Sequence, residues 1–426
     1  MDKSDARYQA YIDILKEELI PALGCTEPIA IAYAAAKAKQ ELGEEPVSIL
    51  IEASDNIIKN VKSVVVPNIG NLKGIAAAAA AGIVAGKPDR ILEVIADSSP
   101  DDQKRIQSFL ENNEIRVIKS DSPLTFNLVV TVFSDCSKAT VRISHFHTNI
   151  VSITRDDRLI FHNQDCGVVQ PRSLTERVFM NIHDILDFAD SVEIASVEDV
   201  LKRQIDYNSK IAEEGIKGGW GVNIGRILLE TWGDDIKIRA KAMAAAGADA
   251  RMSGCELPAI IVSGSGNQGM TASIPVIEYA KALKAKKDTF YRALVVSNLV
   301  TIHQNTRIGS LSAYCGAVSA GIGAGAGITW LHGGKYKEVS HTIVNALAIV
   351  SGIICDGAKP SCAAKIASAV EAGILGFYMY QKGQQFYHGE GIVKKGVENT
   401  IDNIGRLARE GMRETDKAII RMMLGE

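Results

Sequence analysis

Hydrophobic positions change their spacing twice along the chain. Residues 5–43 have the spacing of amphipathic helices, in two runs. From about residue 45 the pattern alternates and is rich in β-branched residues, as in "NLVVTVFS" (127–134), with helical stretches between the strands. From about residue 170 the spacing is helical again, with short glycine-rich breaks. The pattern therefore predicts a helix pair, then a mixed module, then a long helical region.

This order is typical of a module inserted into an all-helical domain. We predict an α+β fold, in which residues 1–44 and 170–426 form a mostly α-helical domain and residues 45–169 form an inserted α+β module. Alanine, glycine, serine and isoleucine dominate the helical part, which suits helices whose backbones approach closely. The uncharged run 310–331 contains five glycines and little apolar bulk, so it predicts a buried helix rather than a membrane span.

Composition and charge exclude several classes of protein. The chain has 426 residues, enough for a large core in two or three domains, and a net charge of −3. This near balance of charge gives no basic surface for nucleic acid. The N-terminal "MDKSDARYQAYIDILKEELI" is charged and amphipathic, unlike a signal peptide. Seven cysteines, an odd number in a chain of this length, argue against a secreted disulfide framework, so we expect a cytoplasmic protein.

Three cysteines in the glycine-rich helical region lie 40 and then seven residues apart: Cys315, Cys355 and Cys362. The close ligand pairs of a zinc site are absent, and so are the clustered CxxC runs of ferredoxins. From the spacing alone, a structural role and a ligand role are equally open. Cys136 and Cys166 each stand alone in the mixed module, where a small buried hydrophobe is the simpler interpretation.

Another cysteine, Cys25 in "LGCTEP", immediately precedes a predicted helix start at Thr26. Unpaired amides and the helix dipole lower the pKa of a thiol at such a position. A reactive or metal-binding cysteine would be placed there. A turn cysteine without a chemical role is the equal alternative.

The stretch "SGSGNQGM" (263–270) follows an apolar run and precedes a predicted helix. Its glycines allow backbone amides to converge and its serine and asparagine side chains add donors, so it could cradle a carboxylate or a phosphate. It matches neither the Walker pattern nor GxGxxG in full. A flexible turn with a helix cap is the alternative. The candidate ligand-binding residues are Ser263, Gly264, Ser265, Gly266 and Asn267.

Two further polar segments lie in apolar surroundings. Asn68, in "VPNIGNLKG", stands at a glycine turn and is a second candidate for binding an anion. His303, in "TIHQNTRIG", shares a polar cluster with Asn305 and Arg307 and is a candidate substrate residue, although a lone histidine is usually structural. The histidines of "HFH" (145–147) could ligate a metal, but alternation in a strand favours a surface feature.

Five segments together resemble the L-cysteine desulfidase family: "GCTEP", "VPNIGNLKG", "GSGNQGM", "SLSAYCGA" and "CDGAKPSCA". The match runs essentially end to end. The helical part is also similar to the catalytic part of iron–sulfur L-serine dehydratases, in which three cysteines hold a 4Fe–4S cluster and a glycine-rich loop binds substrate. The resemblance implies that Cys315, Cys355 and Cys362 each ligate one iron and that the fourth iron stays open.

The resemblance also implies a catalytic role for Cys25, as a base or as a resting cluster ligand. Thr26 and Glu27 of the same motif would then contact the substrate. Some dehydratases end in a cysteine that enters the active site, whereas this chain ends "MMLGE". Cys25 would take over that role.

The activity that the resemblance implies is an L-cysteine desulfidase, which eliminates the β-substituent of L-cysteine to give sulfide, ammonia and pyruvate. An L-serine dehydratase with the same cluster is the nearest alternative. A pyridoxal-phosphate lyase is another, because "SGSGNQG" also resembles a phosphate loop of that class, although no Schiff-base lysine motif is evident. The α+β module suggests a third, a non-enzymatic small-molecule sensor. We expect a free amino acid as substrate, a homodimer, and neither nucleic acid nor a membrane as partner.

Overall fold

The computed structural model describes most of the chain. The described residues are 1–22, 24, 26–124, 126–163, 175–309 and 312–424. Cys25 and Cys166, both singled out above, lie outside the described residues.

The first part of the chain contains a helix, a short strand and a second helix: α1 (Ala6–Glu18), β1 (Pro21–Ala22) and α2 (Thr26–Leu42). The mixed region follows, with β2 (Ser48–Ala53), α3 (Asp55–Val61), α4 (Gly74–Ala85), α5 (Pro100–Asn112), β3 (Glu114–Lys119), β4 (Asn127–Phe133), β5 (Lys138–Ser144), β6 (Ile150–Arg155) and β7 (Arg158–His162).

The rest of the described chain is helical apart from one short strand. Its elements are α6 (Ile182–Ser191), α7 (Glu198–Ile216), α8 (Ile224–Trp232), α9 (Ile236–Met252), β8 (Ala259–Ile260), α10 (Gly266–Ala282), α11 (Lys287–Ile308), α12 (Gly316–Leu331), α13 (Tyr336–Val350), α14 (Cys362–Gln381), α15 (Val397–Arg406) and α16 (Arg413–Leu424). The prediction of an α+β fold with a mostly helical body is confirmed.

Within the described ranges, six strands form one sheet in the order β3-β2-β4-β5-β6-β7. β2 and β3 are parallel, and every other pair of neighbours is antiparallel. The central strands alternate between buried and partly exposed residues, as in β2, because one face of the sheet is covered. The alternating pattern in the sequence predicts strands at 47–54, 127–134, 138–146, 149–155 and 156–163, and it misses β3. This edge strand is largely exposed, so it lacks the apolar alternation that marks the others.

The sequence pattern also extended one strand too far. β5 ends at Ser144, and His145 has a left-handed φ of 69°, which turns the chain out of the sheet. "HFH" is therefore part of a turn between β5 and β6, and the strand alternation assumed for it is wrong. This turn carries His147 away from the sheet.

Two apolar cores occupy the described part of the chain. One lies among the helices from α6 onward together with α1, and the other fills the space between the sheet and the helices α2 and α4. α2 packs on α4, β4 and β5. The division of the chain at residues 44 and 169 stays a prediction. The packing also shows that α2, which the prediction assigns to the helical domain, lies in the same core as the sheet.

The central helix of the helical body, α12, has glycines on two faces. Gly321 lies against the backbone of Ala369 in α14, and a Cβ on Gly325 would stand 2.7 Å from the Cα of Gly373. Gly323 lies against α11, where a side chain would meet Thr301. Small residues thus let α12 approach both neighbours closely, and the prediction of a buried, tightly packed helix is confirmed.

One described helix, α14, is long and apolar enough to cross a membrane by length and composition alone. Half of its apolar window is buried inside the fold, and the core helix of a soluble protein passes the same test. One such helix is weak evidence for a membrane span.

We expect Gly325→Val to destabilise the fold by about 1–3 kcal/mol or more, because its side chain must force α12 and α14 apart. The readout is the thermal unfolding midpoint of the purified variant. Gly352→Ala is the matched control, since a Cβ on Gly352 meets no atom within 4 Å. Equal midpoints for Gly325→Val and the wild type would show that the contact of α12 with α14 is not tight.

Candidate active site

Two of the three clustered cysteines lie on paired backbone segments, just before α12 and just after α13. The amide of Cys315 donates to the carbonyl oxygen of Ile353 at 3.1 Å, and the amide of Cys355 donates to the carbonyl oxygen of Ala313 at 2.6 Å. These backbone bonds bring together two residues that are distant in the sequence.

The third cysteine joins them through helix packing. Cys315 immediately precedes α12, and Cys362 is the first residue of α14. Because Gly321 faces Ala369 and Gly325 faces Gly373, the two helices run in the same direction and begin at the same end. Each helix start has unpaired amides and the positive end of a dipole, which favours an anionic group there.

The environment of these thiols opposes their ionisation. Burial, together with repulsion from Cys355 and Cys362, raises the pKa of the Cys315 thiol to about 12. Burial also raises the pKa of the Cys362 thiol. Both thiols are therefore protonated at neutral pH, even with Lys365 nearby, unless a metal ion binds them. Bound iron would supply that positive charge and take the thiolate form.

The described thiols are not arranged as the ligands of a single metal ion. Among the residues that the structure describes, no three cysteine, histidine or acidic side chains lie close enough to hold one metal ion. A cluster binds each thiolate through a different iron, so its ligands stand farther apart than those of one ion. Charge repulsion from Cys355 nonetheless raises the pKa of Cys315 and of Cys362, which means that the three cysteines lie near one another.

Ion pairs fix the loop between Cys355 and Cys362. The carboxylate of Asp356 pairs with Lys359 at 2.5 Å and also with Lys365, on the first turn of α14. Lys365 donates a further hydrogen bond, of 2.9 Å, to the carbonyl oxygen of Ile354. The positive charge of Lys365 acts on the thiols in the opposite sense to burial, since it lowers the pKa of Cys315 and of Cys362. The loop therefore holds two cysteines in place and adds a cation beside them.

The glycine-rich segment forms a tight turn before α10. Val262 and Ser265 exchange two backbone hydrogen bonds, of 3.1 and 3.0 Å. The two residues between them, Ser263 and Gly264, have φ values of 48° and 76°, as in a type I′ turn. Ser265 then caps α10, and its hydroxyl accepts from the amide of Gln268. The predicted cradle is thus a turn at a helix start, where free amides can bind an anion.

The start of α2 contacts this turn. The hydroxyl of Thr26, which is buried, donates to the carbonyl oxygen of Gly264 at 3.1 Å. Glu27 is also buried, and its carboxylate accepts a hydrogen bond of 3.0 Å from the side chain of Asn60 in α3. His147, from the turn after β5, brings its Nε2 to 4.0 Å from the same carboxylate. The "TEP" motif, the glycine-rich turn and the module therefore meet at one place.

Two contacts connect this place with the cysteines. A side chain on Gly316, next to Cys315, would overlap the side-chain amide of Gln268, whose Oε1 accepts from Asn305 Nδ2 at 2.6 Å. Gly357, in the cysteine loop, lies directly against the backbone of α3 one residue before Asn60. The cysteine cluster and the glycine-rich turn therefore belong to one site.

Two predicted substrate residues have other partners in the structure. The side-chain Nδ2 of Asn68 donates to the carbonyl oxygens of Ile95 and Ala96, at 3.2 Å each, inside the module. His303 is fully buried, and its Nε2 lies 2.7 Å from the carboxylate of Glu398 in α15. These bonds give neither side chain a contact with the glycine-rich turn, and the substrate roles of both stay predictions.

Four residues of the site escaped sequence reasoning: Asn60, His147, Arg251 and Gln268. The strand predicted for its segment hides the position of His147 in the sequence. Arg251 is the clearest signal that was overlooked, as an arginine at the end of an alanine-rich, buried helix. Its guanidinium donates to Asn267 Oδ1 at 3.1 Å and to the carbonyl oxygen of Gly24 at 2.5 Å.

A helical body that gathers three thiols beside a glycine-rich turn is the arrangement expected of an iron–sulfur dehydratase or lyase. The family model described as "Serine dehydratase alpha chain" matches residues 89–421, and the chain belongs to that family. Membership supports a dehydratase-like enzyme with an iron–sulfur cofactor. The matched residues include the three clustered cysteines and the glycine-rich turn.

Full-length relatives agree with this assignment. The chain is 58% identical to a UPF0597 protein of Desulfitobacterium hafniense, over 100% of this chain and 99% of the relative. It is 50% identical to a UPF0597 protein of Lachnoclostridium phytofermentans, over 98% and 100% of the two chains. A UPF0597 protein of Shewanella oneidensis is 36% identical, over 98% and 99%.

We expect serine in place of Cys315, Cys355 or Cys362 to abolish iron binding and turnover together, because serine is a poor ligand for iron in a cluster. Iron content and activity of each anaerobically purified variant are the measurements. The structure shows Cys136 exposed, so the interpretation of this residue as a buried hydrophobe is wrong. Cys136→Ser is therefore the control and should keep both properties near wild type. A variant with full iron and full turnover would remove its cysteine from the ligand set.

Proposed function

We propose that the protein is an L-cysteine desulfidase, which converts L-cysteine to sulfide, ammonia and pyruvate by β-elimination. The observation that carries this proposal is that three thiols, a glycine-rich turn and the start of α2 lie close together. The resemblance of all five motifs to that family supports the choice of substrate. We further propose that the enzyme acts in the cytoplasm, as a homodimer, on the free amino acid.

Cys315, Cys355 and Cys362 would hold a 4Fe–4S cluster, one iron each. When bound, the cluster would supply a Lewis acid at its fourth iron, where no protein thiol is assigned. The chain's own part is to hold the cluster at the starts of α12 and α14 and to limit its exposure, since Cys315 is only 8% exposed.

The glycine-rich turn would bind the α-carboxylate of the substrate. Free amides at the start of α10 and the Asn267 side chain are donors of the kind that a carboxylate needs. Thr26 fixes the turn through Gly264, and Glu27 places a carboxylate beside it, suited to the substrate's ammonium group. The substrate's side chain is thereby directed away from the turn.

Cys25 would remove the α-proton. Its neighbours in the chain support this role, because Gly24 bonds to Arg251 and Thr26 bonds to the glycine-rich turn. Position 25 also directly precedes α2, and the dipole of a helix start favours a thiolate. Loss of the α-proton and of sulfide leaves aminoacrylate, which tautomerises and hydrolyses in water to pyruvate and ammonium.

L-serine dehydration is the second candidate, and membership of the serine dehydratase alpha chain family favours it. Serine offers the same carboxylate, ammonium group and α-proton, and differs only in its leaving group. Iron–sulfur clusters bind sulfur ligands preferentially, which favours cysteine. A pyridoxal-phosphate lyase needs a free lysine, whereas two lysines close to the site, Lys59 and Lys365, are in ion pairs.

The test is to assay anaerobically purified, cluster-reconstituted protein with each amino acid. We expect equal amounts of sulfide and pyruvate from L-cysteine, and a kcat/KM for L-serine at least about tenfold lower. Pyruvate from L-serine with little reaction of L-cysteine would establish the dehydratase instead. No product from either substrate, with iron present, would refute the proposed function.

We expect Cys25→Ala to retain iron and to lose turnover by roughly two or more orders of magnitude, the usual contribution of a general base. Exchange of the substrate α-proton with solvent should fall in parallel. Cys136→Ala is the matched control and should leave exchange and turnover unchanged. Loss of iron in Cys25→Ala would make Cys25 a cluster ligand, and full activity would remove it from the mechanism.

A further inference from the structure

Arg251 is a buried cation without a described counter-charge. It lies at the end of α9 and is 3% exposed. Its two hydrogen-bond acceptors in the described part of the chain, the carbonyl of Gly24 and the side-chain amide of Asn267, are neutral. The Nε of Arg251 is buried and has no acceptor among the described residues.

Such a group is costly unless something compensates it. A buried charge without a partner destabilises a fold by several kcal/mol, and arginine stays charged in proteins. The negative end of the α9 dipole compensates only part of a unit charge. The position of Arg251 therefore favours the binding of an anion that is not among the described residues.

The surroundings of the guanidinium identify the class of that anion. Nε lies directly against Gly266, the first residue of α10, where any side chain would overlap it. The same guanidinium bonds to Asn267, on the following residue. A guanidinium has five N–H donors in one plane, which match the two oxygens of a carboxylate. The free amides of a helix start lie next to it and favour the same charge.

We propose that Arg251 binds the α-carboxylate of the amino-acid substrate, in concert with the turn before α10. This inference rests on the proposed function, since it specifies which charge on the amino acid is recognised and by which residue. Through its bond to Gly24, Arg251 also ties the carboxylate site to the residue that precedes Cys25. Binding of the carboxylate and placement of the α-proton then depend on one side chain.

The test uses anaerobically purified holoprotein and L-alanine, which has the carboxylate and ammonium groups of the substrate but no leaving group. We expect L-alanine to bind the wild type, and L-alaninamide, which lacks the carboxylate charge, to bind at least about tenfold more weakly. Arg251→Gln should weaken L-alanine binding by about 10- to 100-fold, the usual effect of one charge-assisted hydrogen bond. It should also remove the preference for L-alanine over L-alaninamide, with iron content unchanged.

Arg239→Gln is the matched control, on the same helix but paired with Asp234 at the surface. It should bind L-alanine as the wild type does. Arg251→Lys keeps the positive charge but lacks the planar set of N–H donors of a guanidinium. It should bind L-alanine more tightly than Arg251→Gln and more weakly than the wild type. If Arg251→Gln fails to fold, Arg251→Lys decides, because the proposal requires its KM for L-cysteine to rise.

The outcomes separate this proposal from the proposed function. Unchanged L-alanine binding and unchanged KM in a folded Arg251 variant would overturn the role of Arg251 while leaving the activity intact. If L-alanine binding depends on Arg251 but the wild type reacts with neither L-cysteine nor L-serine, the role of Arg251 holds and the proposed activity is refuted. Absence of both binding and turnover in the wild type would overturn both.

Discussion

The candidate site depends on the close contact between α12 and α14. Glycines on one face of α12 let the two backbones approach, and Gly325 meets Gly373 directly. Because the helices run in the same direction, this contact fixes Cys315 and Cys362 at neighbouring helix starts. Larger residues along the contact between α12 and α14 would separate these thiols. The unusual alanine and glycine content of the helical body therefore has a chemical consequence as well as a packing one.

The α+β module takes part in the same site. A side chain on Gly24 would overlap Pro67, and one on Gly254 would overlap Val65, so the loop before α4 packs closely on two segments near the candidate active site. Asn60 and His147 reach Glu27 from the module as well. A purely separate sensor domain would not be expected to supply such contacts. These contacts place the module beside the candidate site.

Local pattern was enough to predict the fold class, most of the strands and the buried character of α12. It could not reveal β3, because an exposed edge strand has no apolar alternation. The convergence of Cys315, Cys355 and Cys362 came from the family resemblance, since spacing alone left it open. The place of Arg251 in an alanine-rich helix is visible in the sequence, but its missing counter-charge is visible only from three-dimensional contacts, namely an unbonded Nε and neutral partners.

The central claim is that three cysteines from distant positions hold one iron–sulfur cluster. The most direct measurement is native mass spectrometry of the anaerobically purified protein, with iron and acid-labile sulfide determined on the same sample. The account predicts a mass increment equal to four irons and four sulfides per chain, which disappears in Cys355→Ser. A single zinc ion, or a chain without metal that is still active, would contradict it.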